Sequence, residues 1–371
     1  MYRKNDMKQM SRVGGGRDSS IELLRIVSMI CIISHHYVIN SGIIGNVLTG
    51  NVLSANSLFA LIFGWGGKTG INCFVLITGY FMCKSEISIK KFLKIFLEVE
   101  FYKVILNMVF LISGYESFSL KVIFRRLVPV YGIGTDFTQS YLIFFFFIPY
   151  LNLLIINMNE KLHRNLVILC LISDTFIQTF LLASNAFTYV GWFISLYFIA
   201  SYIRKCSEGS YCNNRLPYNF FNNKKLWRNI MLSALFLSWT SVVLGAWYYT
   251  VSGKNIIYSF VSDSNKLLAV ITAISAFMYF KNLNLRYNKI INIIASTTFG
   301  VLLIHANSDT MRKWLWKDTL NNVGAYNSNF LYFVYHAHIS VIFVFIVGVL
   351  IDIVRIQFIE KPFFGLYKKR L

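Results

Sequence analysis

Apolar runs of roughly twenty residues, parted by short polar breaks, recur from about residue 20 to about residue 356. A helix crossing the hydrocarbon layer of a bilayer needs about 20 mainly apolar residues. Ten stretches fit: 20–39, 56–83, 92–114, 139–157, 165–183, 188–203, 229–248, 265–280, 290–306 and 333–356. The pattern therefore predicts an all-α polytopic membrane helix bundle of about ten transmembrane helices. The second stretch is longer than one straight crossing and contains Gly64, Trp65, Gly66, Gly67 and Gly70, so a break or kink is expected there. Residues 118–132, with Arg125 and Arg126 beside Val128, Val130 and Tyr131, read as an amphipathic segment lying in the interface. The longest polar stretch, 204–228, is too short for a core of its own and reads as a loop.

Composition points the same way. With 56% hydrophobic and 14% charged residues, the chain has more apolar surface than a soluble domain of this length can bury. A net charge of +20 raises the question of nucleic acid. The cations, however, sit in short clusters between apolar runs, as membrane orientation requires, so no nucleic-acid partner is expected. With the N-terminus placed in the cytosol, the inside segments are the basic tail 1–17, 84–94, 158–164, 204–228, 281–289 and 357–371. They carry 24 of the 36 Lys and Arg residues, and the outside segments carry seven. This bias predicts that both termini are cytosolic.

The six cysteines are scattered, and only Cys206 and Cys212 share a loop. On the cytosolic side their thiols are expected to stay reduced, and one pair lacks the repeated spacing of a zinc site, so no metal is expected. The first apolar run follows a Gly-rich basic tail without a small-residue cleavage site at its end, and is expected to remain as a spanning helix.

An ionisable side chain inside a membrane helix is a functional candidate, because burying it costs several kcal/mol unless it is paired or wetted. The first run, IELLRIVSMICIISHHYVIN, holds Glu22, Arg25, His35 and His36. Eleven steps of 100° bring His36 back to within about 20° of Arg25, roughly 16 Å along the axis, while His35 points elsewhere. Glu22 shares that face and is placed to pair with Arg25. The bland alternative is that Glu22 and Arg25 mark the cytosolic end of the helix and His36 the outer end.

In GWGGKTGINCFVLITGYFMCKSE, Lys68 among glycines must snorkel or face a polar cavity, while Gly67, Gly70 and Gly79 read as sites of tight helix packing. The ninth run ends in STTFGVLLIH, placing His305 near the outer surface before a loop with Asp309, Trp314, Trp316 and Asp318. Aromatics beside carboxylates suit a sugar, although tryptophans at this depth read first as interfacial anchors. No nucleophile elbow, phosphate-binding loop or zinc-protease helix occurs.

Arg25, ten intervening residues and His36 resemble the signature of the acyltransferase-3 family of bacterial membrane acyltransferases. GKTGINCFVLITGYFM, TTFGVLLIH and the closing IEKPF resemble further motifs of that family, in its order, and the likeness runs from about residue 17 to 367. Thr78 stands where Ser is usual, Asn72 where an acidic residue is common and Lys84 where Arg is frequent; QSYLIFFFFIPYLN keeps Pro149 but lacks a Trp-Phe pair.

The resemblance implies a single membrane domain over 18–371 in a bacterial cytoplasmic membrane. It implies transfer of an acyl group, often acetyl, from acyl-CoA to a hydroxyl of a surface polysaccharide or lipid-linked sugar, with no permanently bound cofactor. Arg25, Lys84 and Lys68 are then the donor-binding candidates, His36 the general base, and Glu22 a supporting residue. Lys68 or a backbone amide near the glycines is a candidate oxyanion stabiliser, and His305, Trp314 and Trp316 are acceptor-side candidates. An acyl-histidine intermediate is the variant mechanism. The rival expectation is a transporter or flippase for lipid-linked glycans, or a glycan polymerase, which also needs broken helices and intramembrane charge.

Overall fold

The computed structural model describes residues 17–86, 88–120, 137–181, 188–212 and 220–369, with side chains to Gly365. Most of the basic tail and most of the expected interfacial segment 118–132 lie outside the described residues. Every regular element within them is helical.

Helix α1 spans Ser19–Ile39. It is followed by α2 (Ile43–Thr49), α3 (Ala55–Phe63), α4 (Gly67–Met82) and α5 (Ile89–Ile112). Next come α6 (Phe137–Asn157), α7 (Glu160–Cys170, continued by a π-helical stretch to Ile177), α8 (Tyr189–Ser207), α9 (Lys224–Ser252) and α10 (Leu267–Lys281). The chain ends through α11 (Lys289–Ser296), α12 (Thr298–His305), α13 (Asp309–Lys313), α14 (Asn322–Tyr326), α15 (Phe330–Arg355) and α16 (Lys361–Lys369). Polar caps set many of the starts: Asp18 accepts from the Ser20 amide at 2.9 Å ahead of α1, and Asn329 from the Tyr332 amide at 2.9 Å ahead of α15.

Each of the ten predicted stretches is mostly helical over its described residues, yet they are not equal. Among the described residues, five helices are long and apolar enough to cross a membrane: Ser19–Ile39, Ala55–Met82, Phe137–Asn157, Lys224–Ser252 and Phe330–Gly365. A sixth arises if Lys289–His305 and Asp309–Thr319, bent by 92°, count as one. The other stretches fall short in length or apolar character. α10 has 15 residues, and α5 carries Lys90, Lys91, Lys94, Glu98, Glu100 and Lys103.

The expected break in the second stretch lies between Phe63 and Gly67, where α3 ends and α4 begins. α1 stands at the centre, in contact with α4, α10, α11, α12 and α15. Its first half, with Ile21 and Leu24, belongs to a core shared with α4, α6, α8 and α10. Its second half, from Met29 to Val38, belongs to another shared with α12 and α15. The predicted small-residue packing is present. A Cβ at Gly70 would sit 2.7 Å from the Ser28 carbonyl oxygen of α1, and one at Gly79 2.8 Å from Ala200 Cβ of α8.

Two expectations are corrected. Cys206 and Cys212, read as free thiols, are joined, with Cα atoms 5.5 Å apart. The chain reverses at once after α8, through Gly209 (φ 77°) and Cys212 (φ 67°), and so returns to the helix end. The stretch after His305, read as an outside loop, is instead a run of short helices that folds back at 92°, and this turns Trp316 inward.

Candidate active site

α1, α4 and the bend after α12 enclose a cavity of about 460 Å³. Its lining includes His35, His36, Lys68, Tyr189, Asp309 and Arg312. The helix break builds one wall. Where α3 stops, the Gly64 carbonyl has no helical partner, and it accepts a hydrogen bond from His35 Nδ1 at 2.7 Å. Gly67 lies against the same ring, since a Cβ there would fall 2.4 Å from His35 Cγ. His35 thus closes the break, and its position off the Arg25 face is used for that contact.

His36, in the last turn of α1, meets His305, the last residue of α12: Nδ1 of His36 lies 3.0 Å from Nε2 of His305. His305 Nδ1 lies 2.6 Å from the Val301 carbonyl oxygen. A carbonyl only accepts, so His305 carries its proton on Nδ1, and its Nε2 offers a lone pair. That lone pair accepts a hydrogen bond from the N–H of His36 Nδ1. With both rings neutral, Nε2 of His36 is left unprotonated, the state a proton acceptor requires. His305 is fully enclosed, its ring edge-on to the buried Trp316 at 6.3 Å.

Two cations share this cavity. Lys68, one residue into α4, donates to the Tyr189 hydroxyl at 2.7 Å. Arg312, on α13, pairs with Asp309 at 2.9 Å and donates to the Ala306 carbonyl at 3.3 Å. Arg312 and Tyr189 are not among the site candidates that the sequence offers. No local pattern marks them, and only the 92° bend and the start of α8 bring them to His36.

The other candidates lie elsewhere. Arg25 faces Glu22, Nε to Oε2 at 3.7 Å, as their spacing suggests. Lys84 ion-pairs with Glu208, which also accepts from Arg204 at 2.5 Å. Burial alone would raise the Glu208 carboxyl, but the hydrogen bonds from Lys84 and Arg204 hold it below its ordinary value. The three cations considered for the donor are therefore not gathered together, for Lys68 sits with His36. Trp316 is wholly buried and packs edge-on to Tyr37 at 6.1 Å, so it is neither an interfacial anchor nor exposed to an acceptor. Trp314 is 37% exposed and packs against Phe110. Asn72 is fully buried with both polar atoms engaged, accepting from Trp192 Nε1 at 2.9 Å and donating to the Ser264 carbonyl at 2.6 Å.

A further buried cluster joins three segments. Arg355 pairs with Asp352 at 2.6 Å, Glu98 at 3.0 Å and Glu360 at 2.9 Å, and Tyr102 donates to Asp352 at 2.7 Å. Gly300, within the TTFGVLLIH motif, lies beneath it, where a Cβ would fall 2.2 Å from an Asp352 carboxylate oxygen. None of these residues is among the sequence candidates, although an ionisable group in an apolar run is the signal that marks them.

No curated protein and no solved structure matches the chain significantly. A family model described as an acyltransferase domain matches residues 18–354, from the cap of α1 nearly to the end of α15. The match takes in Arg25, His36, Lys68 and His305 together, and the chain belongs to the acyltransferase-3 family.

Proposed function

We propose that this protein is an O-acyltransferase of a bacterial cytoplasmic membrane. It moves an acyl group, acetyl in the simplest case, from acyl-CoA to a hydroxyl of a surface polysaccharide or lipid-linked sugar. The observation that carries this reading is the chain Val301 carbonyl, His305, His36, which leaves His36 Nε2 as a bare lone pair beside a polar cavity.

In the proposed reaction His36 Nε2 takes the proton of the acceptor hydroxyl as its oxygen attacks the thioester carbonyl. The C–O bond forms, the C–S bond breaks, and the proton passes from His36 to the departing CoA thiolate. Lys68, in the same cavity, is positioned to stabilise the negative charge that develops on the carbonyl oxygen. His305 touches no reacting atom in this scheme and acts by holding the tautomer of His36. In the proposed topology both termini are cytosolic and the helices provide about ten crossings, so that the donor enters at the Arg25 end and the acceptor at the His36 end.

The test is acetyl transfer from labelled acetyl-CoA to surface glycan in membranes carrying the wild type, His36→Ala, His36→Gln or His35→Ala. Transfer lost in both His36 variants at unchanged protein level supports the assignment; full transfer by either removes His36 as base. A wild type that moves glycan across the membrane but transfers no acyl group favours a flippase.

A further inference from the structure

A second cavity, of about 340 Å³, lies where α1 begins, at the opposite end of that helix from His36. Its lining holds five cationic side chains, Arg17, Lys94, Lys289, Arg355 and Lys361, and two carboxylates, Glu98 and Glu360. Both carboxylates are already engaged, Glu98 and Glu360 by Arg355 and Glu360 also by Lys94 at 2.7 Å. Lys289 makes no hydrogen bond or ion pair among the described residues. Lys361 bonds only the neutral Gln357, at 2.7 Å. Arg17 reaches the Asn292 carbonyl at 3.2 Å and stands 4.0 Å from Glu22.

A second observation points to a ligand. Asn292 is 7% exposed and lines the cavity. Its Oδ1 accepts from Ser19 at 3.1 Å, while its Nδ2 has no partner. A buried donor left unpaired costs about 1–3 kcal/mol, and this one belongs to a residue of the cavity wall. At the rim Tyr287 presents a ring that is 68% exposed.

We propose that this cavity binds the nucleotide end of the acyl-CoA donor, an adenosine diphosphate that carries a further phosphate. The inference rests on the acyltransferase reading above and places the donor's phosphates on residues other than Arg25 and Lys84. Lys289, which has no anionic partner, and Lys361, bonded only to a neutral amide, suit phosphate, with Arg17 beside them, and an exposed aromatic ring offers a face for the base. The His36 cavity lies at the other end of the same helix. Glu22 faces Arg17 with one oxygen and Arg25 with the other. From Ser19 the helix runs about 25 Å to His36 at 1.5 Å per residue, the distance that the donor's extended arm has to cover. Anionic lipid shares the phosphate chemistry but has no base to stack on Tyr287.

The test is equilibrium binding of CoA, adenosine 3′,5′-bisphosphate and acetyl-pantetheine to the full chain in phosphatidylcholine nanodiscs. The double variant Lys289→Ala/Lys361→Ala changes two exposed side chains and is expected to weaken CoA and the bisphosphate at least tenfold. Acetyl-pantetheine, which lacks the nucleotide, is expected to bind unchanged. Tyr287→Ala is expected to weaken the bisphosphate by about fivefold or more.

CoA binding unchanged in the double variant overturns the proposal. So does a double variant that keeps CoA but no longer retains added phosphatidylglycerol, since the cavity then belongs to lipid. His36→Ala separates the two readings, because it is expected to bind CoA as the wild type does and to transfer nothing. Wild-type transfer with CoA affinity untouched by the double substitution sinks the nucleotide site alone. CoA affinity lost in the double variant of a chain that transfers no acyl group supports the site and removes the function.

Discussion

A histidine in a membrane helix is ambiguous until its second nitrogen is accounted for. At His36 the sequence showed an alignment with Arg25 but not what holds the ring, because its partner His305 is 269 residues away. The hydrogen-bond chain supplies that partner and makes the two histidines unequal: His36 is the candidate catalytic residue and His305 a positioning residue. Removing a general base costs about 10²–10⁴-fold, and transfer by His36→Ala is expected to fall in that range. His305→Ala is expected to lower kcat while KM for acyl-CoA holds, and to change the pH profile of kcat, because His36 is then free to take either tautomer. An unaltered pH profile in His305→Ala would reduce that residue to packing. Asn72, the position that departs from the acidic residue common in the family, offers both a donor and an acceptor. An Asp there keeps the acceptor and loses the donor to the Ser264 carbonyl. Asn72→Asp is thus expected to lower the unfolding midpoint of the detergent-solubilised protein, by about 1–3 kcal/mol of stability.

Among the elements, glycine and length told much of the story. The surplus length of 56–83 and its cluster of glycines announced the break between α3 and α4 correctly. The bend after α12 was not legible, because Asp309, Trp314 and Trp316 have the polar and aromatic character of an ordinary interfacial loop. What draws that segment inward is tertiary: Trp316 fills the space between Tyr37 and His305. Gly300 carries a corresponding lesson, since its reason lies on another helix. Gly300→Ala is expected to push against the Asp352 carboxylate and cost about 1–3 kcal/mol. Gly45→Ala, where a Cβ meets nothing within 4 Å, is the matched control, and thermal unfolding of the two variants side by side decides the point.

For the whole molecule, the helical class followed from apolar length and composition, and the family follows from the match over residues 18–354. The number of crossings did not. Ten apolar stretches and five or six helices of full membrane-crossing character differ because some stretches are short, as α10 is, and others carry charge, as α5 does. Part of that charge is paired in the ion cluster of Arg355, which links α5, α15 and the segment leading into α16 in the interior. Removing Arg355 strands Glu98 and Asp352, both buried, and such losses cost about 3–5 kcal/mol. Arg355→Ala is expected to reduce the amount of folded protein in the membrane, as read by protease resistance at matched expression. The proposed topology predicts that a single cysteine at Asn255 reacts with an impermeant maleimide on intact cells, and one at Ser85 only after permeabilisation; the reverse pattern would invert the molecule.

The pairing of one imidazole with another, rather than with a carboxylate, has an electrical consequence. Moving one elementary charge through the full membrane field is worth about 2.3 kcal/mol per 100 mV. A carboxylate behind His36 would set a permanent negative charge within that field. In the proposed reaction the His36–His305 pair bears no formal charge at rest, and the proton that it would take from the acceptor would return to the departing thiolate within the same cavity. Little net charge is displaced across the bilayer in a turnover, and transfer in sealed vesicles is expected to proceed at the same rate whether the membrane is polarised or discharged.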